Sequence, residues 1–334
     1  MSWGTQAPEQ KAKPKTVEPK MQFDEAYYRN LFENNRTNTI THRCALVGHE
    51  NTLKTGLALS FLEPEINAGK KVYVFDIDNS AKPTIDHIYP DNENVIVLPL
   101  HDETDDSIFD EENNVDYKAL LDKTAYYVNI LADKVKADPE SVGGIIFDGG
   151  STFLKWCEHA MRASLLARGV IEEESDTFNQ KEWRERNRLY RNVLTRLHSL
   201  NVAKVYFIFH LKPVSQYMDD GTGKKVLMTV GHRPEWDKGT MRKFSQQIFL
   251  SRHMKKGDLA AGVDGDRTLK DDEWVVRGKV EEMKGDHIEK VGSTYDVARI
   301  SKGKFDFIGL EWMVEDSIPP AAQAKTILAE KAKE

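Results

Sequence analysis

Three stretches of this chain carry residue types at spacings suited to chemistry on a phosphate. The first is GHENTLKT, residues 48–55. Glycine, a four-residue spacer, one further residue, then Lys54 and Thr55 is the spacing of a phosphate-binding loop, with Leu53 as that further residue where the template has a second glycine. In such a loop the amides of residues 50–55 cradle phosphate oxygens at a helix N-terminus, Lys54 neutralises the outer phosphates and the Thr55 hydroxyl ligates magnesium. Gly48, His49, Glu50, Asn51, Thr52, Leu53, Lys54 and Thr55 are therefore the candidate nucleotide residues. If the backbone needs a positive φ at Leu53, a leucine there costs about 1–2 kcal/mol, small against several charge-assisted hydrogen bonds to phosphate.

The second stretch, VGGIIFDGGSTF (142–153), is an apolar run ending in Asp148 and followed by small residues. A carboxylate so placed can hold the water shell of a magnesium ion. The third, KVYVFDIDNSAKP (71–83), ends a predicted strand with Asp76 and Asp78, two apart and so expected on one face. One of them can polarise the water that attacks a terminal phosphate; a turn-forming aspartate pair is the plainer alternative.

These residues need elements to position them, and a phosphate loop needs an apolar strand before it and a helix after it. RCALV precedes Gly48 and GLALSFLEPEI follows Thr55. Beyond that, apolar strands alternate with helical periodicity, the pattern of a mostly parallel sheet with crossover helices. Strands are expected at 42–47, 71–75, 94–98, 144–147 and 204–210, with helices at 53–68, 117–137, 152–168 and 180–200. In the last of these, Arg184, Arg186, Arg188, Arg191 and Arg196 read as the solvent face of an amphipathic helix rather than a nucleic-acid surface. After His210 the texture changes to a hairpin signal at 219–223, a short helix at 238–247 and strands at 247–252, 273–283, 297–301 and 305–310, expected as antiparallel additions to the same domain. Residues 101–116 form an acidic insertion expected to be solvated, and 211–243 a basic segment interleaved with aromatics.

Composition bounds the function further. Two cysteines, Cys44 and Cys157, argue against a disulfide framework and lack zinc-ligand spacing, so both are expected buried. No apolar run approaches the roughly 18–20 residues of a spanning helix, and residues 1–20 are too polar for a signal peptide, so no membrane role and an intracellular, cytoplasmic place are expected. A net charge of -7 argues against a general nucleic-acid-coating surface, so any such contact must be local. The proline- and lysine-rich residues 1–20 are expected disordered, a short helix follows at 23–34, and residues 317–334 form a C-terminal tail.

The order strand, phosphate loop, helix, VYVFDIDNSAKP, IIFDGGS and VYFIFH resembles the core of RecA-type recombinases and ATPases. It is especially similar to the abbreviated RecA-like ATPases of phages and archaeal viruses that act in single-strand annealing. The resemblance implies an α/β fold, a RecA-like P-loop NTPase core spanning 21–316, with a mostly parallel central sheet, helices on both faces and antiparallel C-terminal strands. It implies ATP and Mg2+ as cofactors, Asp148 and Thr55 at the metal, and Asp78, followed by Pro83, as the catalytic carboxylate. The family has glutamate there, so Asp78 shortens the reach by one methylene. His210 then stands where the family places a polar γ-phosphate sensor, and 211–243 corresponds to its second DNA-binding loop, with Lys212, Tyr217, Lys224, Lys225, Arg233 and Trp236 as contacts. Lys302 and Lys304, two apart on a predicted strand, match a lysine pair that reaches a neighbouring subunit's γ phosphate.

From the residues alone, His210 also reads as a polar loop start, 211–243 as a solvated hairpin, and the Lys302–Lys304 pair as an edge strand guarded by lysines. The family's partners would be single-stranded DNA, further copies of the chain in a ring or filament, and a single-strand-binding protein. Two functions remain open: a DNA-dependent ATPase of recombination, annealing or replication, and a nucleotide-gated binding protein with little turnover, marked by Leu53 and Asp78. A hexameric helicase or packaging motor ranks below both, since no extra motor domain is evident.

Overall fold

A computed structural model describes residues 42–173, 176–177, 181–219, 221, 224–258, 261–284, 287–310 and 312–313. The tail 1–20, the helix expected at 23–34 and the tail 317–334 lie outside the described residues.

Among the described residues, eleven strands form one sheet: β1 His42–Gly48, β2 Lys71–Asp76, β3 Val95–Pro99, β4 Val142–Asp148, β5 Lys204–Asp219, β6 Lys225–Pro234, β7 Gln246–Met254, β8 Val263–Gly265, β9 Glu273–Met283, β10 Thr294–Ser301 and β11 Lys304–Phe307. Their order is β11-β10-β9-β7-β1-β5-β4-β2-β3. From β3 across to β7 every pairing is parallel, and β7, β9, β10 and β11 continue antiparallel. The strand expected at 247–252 as an antiparallel addition is instead, as β7, parallel to β1 and antiparallel only to β9, and a short unexpected strand, β8, pairs parallel to it.

The helices are α1 Lys54–Asn67, α2 Ala81–Ile88, α3 Tyr117–Ala137, α4 Gly150–Ala167 and α5 Trp183–His198. Alternate strand residues face opposite sides. Ala45, Val47, Phe75, Phe147 and Phe207 pack against α3, α4 and α5, whereas Cys44, Leu46, Val74, Ile146 and Ile208 pack against α1 and α2. Helices thus cover both faces, which is why the parallel strands read as unbroken apolar runs. Cys44 and Cys157 are buried free thiols, as expected.

Four expectations about the elements need correction. Helix α2 went unpredicted because its start is stabilised from outside: the buried Asp76 carboxylate accepts from the Ser80 and Ala81 amides. The acidic insertion is not simply solvated, since Ile108 is fully buried, Phe109 packs on the core, and Asp105 pairs with Lys123 at 2.8 Å. In place of a helix at 238–247 there is one short 3-10 turn, Met241–Lys243, because Phe244 must enter the core and strand β7 begins at Gln246. Finally, Lys302 is not on a strand. Lys302 and Gly303, at φ 51° and 74°, make the tight turn between β10 and β11, both residues on the left-handed side as a two-residue hairpin turn of this kind requires.

The 211–243 segment takes a definite form. β5 runs sixteen residues; its first half lies in the core and its second half leaves the sheet and pairs only with β6. The product is a projecting two-stranded arm.

Candidate nucleotide-binding site

The C-terminal ends of β1, β2, β4 and β5 meet at one cleft of about 1060 Å³, large enough for a nucleotide. Its floor is the loop between β1 and α1. Gly48 admits no side chain: a Cβ would lie 2.6 Å from Thr52 Oγ1 and 2.9 Å from the Leu250 carbonyl oxygen. Asn51 and Leu53 both take left-handed backbone, at φ 58° and 55°. The strain expected at Leu53 is therefore present, and its side chain offsets part of it by packing on the α1 side of the core.

Helix α1 begins at Lys54, whose ammonium turns back into the loop and donates to the carbonyls of Gly48 at 3.3 Å and His49 at 2.6 Å. Burial pushes Lys54 down to about 8, while Asp148, Asp78 and Glu50 act the other way. One residue on, Thr55 Oγ1 donates to Asp148 Oδ2 at 2.5 Å. Burial raises Asp148 to about 6, and Asp78 and Asp76 add to the rise against the Thr55 hydrogen bond. Lys54 is a cation near this buried carboxylate but offsets only part of the rise, and a divalent cation would add to that offset. Among the described residues no three acidic, histidine or cysteine side chains form a metal cage. The donor set fits magnesium, which binds through one or two protein oxygens, water and ligand phosphates.

Asp76 and Asp78 divide the work assigned to them as a pair. The strand stops at Asp76, which is committed to α2, and Asp78 reaches into the cleft. Gly149, at φ 99°, leaves room for it, since a Cβ there would come 2.8 Å from the Asp78 carboxylate. Burial alone would raise Asp78, but hydrogen bonds from His210 and Thr152 bring it below the usual carboxylate range. His210 Nε2 lies 3.4 Å from Asp78 Oδ2, and its Nδ1 is buried with no hydrogen-bond partner among the described residues.

His210 sits at the point where β5 leaves the core. The Ser151 hydroxyl accepts from its amide and donates to the Glu235 carbonyl, and the Glu235 amide donates to the His210 carbonyl. A second link joins loop and arm: the His49 ring stands edge-on to His232 of β6, centroids 4.4 Å apart. Burial, then His232 and Lys54, push His49 below its ordinary value.

The other candidates fall in different places. Lys212 lines the cleft, Tyr217 is 72% exposed on the arm, Lys224 and Lys225 flank its tip, and Arg233 lies on its solvent side. Trp236 is placed differently: it is half-buried, packed edge-on to Phe209 and tilted on Phe244 against the core rather than standing out on the arm. Lys302 and Lys304 are not among the residues around the cleft. Sequence reasoning missed the arm's exposed apolar residues, Met218, Leu227, Met228 and Val230, since a short apolar run such as VLMTV reads as an ordinary buried strand. It also missed His232 and Arg252 at the cleft, which no local motif marks.

No protein-family model matches the chain, and no curated protein matches it. Among solved structures it is similar to a KaiC-like protein of the hyperthermophilic archaeon Pyrococcus horikoshii, at 11% identity and a TM-score of 0.41, over 79% of this chain and 89% of that one.

Proposed function

We propose that this chain is a RecA-like ATPase that binds MgATP in the cleft, hydrolyses it within an assembly of copies, and engages single-stranded DNA through the 211–234 arm. The observation that carries the proposal is the convergence of Lys54, Thr55, Asp148, Asp78 and His210 on one cleft, from four segments far apart in sequence. Lys54 and the amides of residues 50–55 take the phosphates, Thr55 and Asp148 take magnesium, and Asp78 orients the attacking water. His210 touches Asp78 and begins the arm, so a change at the terminal phosphate reaches the DNA contact along one strand. The service would be recombination, annealing or replication, as in the short phage and archaeal-virus members of the RecA type, inside a cell and beside a single-strand-binding protein.

One observation favours a second reading, a nucleotide-gated binder with little turnover. Asp78 is one methylene short and is held by His210 and Thr152 with its acidity increased, which weakens it as a base. Steady-state ATP hydrolysis by wild type and Lys54→Ala, with and without single-stranded DNA, separates the two. Turnover that DNA stimulates and the substitution abolishes supports the ATPase. Tight, Lys54-dependent nucleotide binding without turnover supports the gated binder. Nucleotide affinity unchanged by Lys54→Ala removes both.

A further inference from the structure

Arg252 is a cation at the cleft to which the proposed reaction gives no task. Strand β7 flanks β1 on the side away from β5, with Leu250 abreast of Gly48. Arg252 lies two residues farther along and lines the same cleft as Lys54, Thr55 and Asp148. Its Nη2 donates to the Ala261 carbonyl at 3.2 Å, and its guanidinium centre stands 5.6 Å over the Trp274 ring. Neither contact neutralises it. Its Nε is buried with no hydrogen-bond partner among the described residues. Arginine cannot shed its proton, so a half-buried guanidinium at the cleft, with no carboxylate beside it among the described residues and its buried Nε unpartnered, suits an anionic acceptor.

The layout indicates which anion. Asp78 and His210 stand on the β5 side of the loop, and Lys54 and Thr55 lie at its centre. A polyphosphate whose terminal group faces Asp78 must run its inner end toward β7. We propose that Arg252 binds the α-phosphate end of a nucleoside di- or triphosphate in cis, so that the site grips MgATP and MgADP alike through this residue. The proposal rests on the nucleotide reading of the cleft, and its contact is with the ligand of that site.

The test is a binding titration of the full chain with MgATP and with MgADP, in wild type, Arg252→Gln, Arg252→Ala and Lys54→Ala. Glutamine removes the charge and keeps a donor for the Ala261 carbonyl, so it decides the matter if the alanine variant does not fold. Without one charged, bidentate-capable hold on the phosphate, both ligands should bind more weakly by a similar factor, roughly 10- to 100-fold. Trp274 provides an independent readout: nucleotide that draws the guanidinium from the ring should change tryptophan emission in wild type and not in Trp274→Phe. A purely structural Arg252 would instead lower the melting temperature and leave both affinities of the folded protein within about twofold, which overturns the proposal. A loss confined to MgATP also overturns it, because it places the contact at the terminal phosphate. If Lys54→Ala binds like wild type, the nucleotide reading has failed; if Lys54→Ala loses binding while Arg252→Gln does not, only the assignment of Arg252 has.

Discussion

Lys54 and Asp148 show how the cleft stores an imbalance that a ligand would relieve. Burial lowers Lys54 to about 8 in the free protein, and a polyphosphate beside it would raise that value again. A group whose value rises on binding strengthens binding below its free value and withdraws that gain as pH climbs above it. Nucleotide affinity should therefore be level up to about pH 8 and fall above it, toward tenfold per pH unit. Titrations from pH 7 to 9.5 check this, with Lys54→Arg expected to flatten the profile; a flat wild-type profile would mean the Lys54 charge does not govern binding. Asp148 carries the opposite imbalance, a folded-state value above its unfolded one, so its ionised form disfavours the fold as pH rises past the usual carboxylate range. Asp148→Asn should hold or raise the melting temperature of the ligand-free protein by a few degrees while removing the magnesium dependence of nucleotide binding. A large loss of stability would count against a metal-site role and for a structural one.

At the scale of elements, the 211–234 arm departs most from ordinary fold economy. Two strands with no third beside them are marginal in water, and this pair exposes Tyr217, Met218, Leu227 and Met228 on its two faces. Tyr217 stands opposite Leu227, and Gln216 opposite Met228. Exposed apolar residues flanked by Lys212, Lys224 and Lys225 suit a partner with stacked rings and a charged backbone. Replacing Lys224 and Lys225 by alanine should reduce the salt slope of single-stranded DNA binding by about one for each phosphate no longer neutralised, with the melting temperature unmoved. If affinity and slope both stay as in wild type, the arm's tip does not touch the DNA. Trp236, just past the arm, should behave differently: Trp236→Ala opens the Phe209–Phe244 cluster and should cost roughly 3 kcal/mol, read by denaturant unfolding, with little effect on DNA affinity per folded molecule.

For the whole molecule, the absence of Lys302 and Lys304 from the lining of their own chain's cleft bears on what an assembly would do. Those lysines lie at the β10–β11 turn at the edge of the sheet and are not among the residues lining the cleft of their own chain. If they complete a neighbour's site, each site draws on two chains. A Lys54→Ala protein and a Lys302→Ala/Lys304→Ala protein should each be inactive alone, and mixing them should restore part of the ATPase activity. No recovery, or full activity of the double substitution alone, would leave the lysines as guards of an edge strand.

Local sequence signals were enough for the alternation of strands and helices, for most element limits to within a few residues, and for expecting Lys54, Thr55 and Asp148 beside one another. Each of these is written locally, in apolar periodicity or in the spacing of a few neighbouring residues. Tertiary structure alone decided the rest. Asp76 and Asp78 look equivalent along the chain, yet one amide pair at the start of α2 claims the first and leaves the second to the cleft. Trp236 and Tyr217 look alike as stacking residues, and only packing sets one half-buried against the core and the other in solvent. Arg252 and His232 acquire a position at the cleft through strand pairings to distant segments, for which the chain carries no local signal.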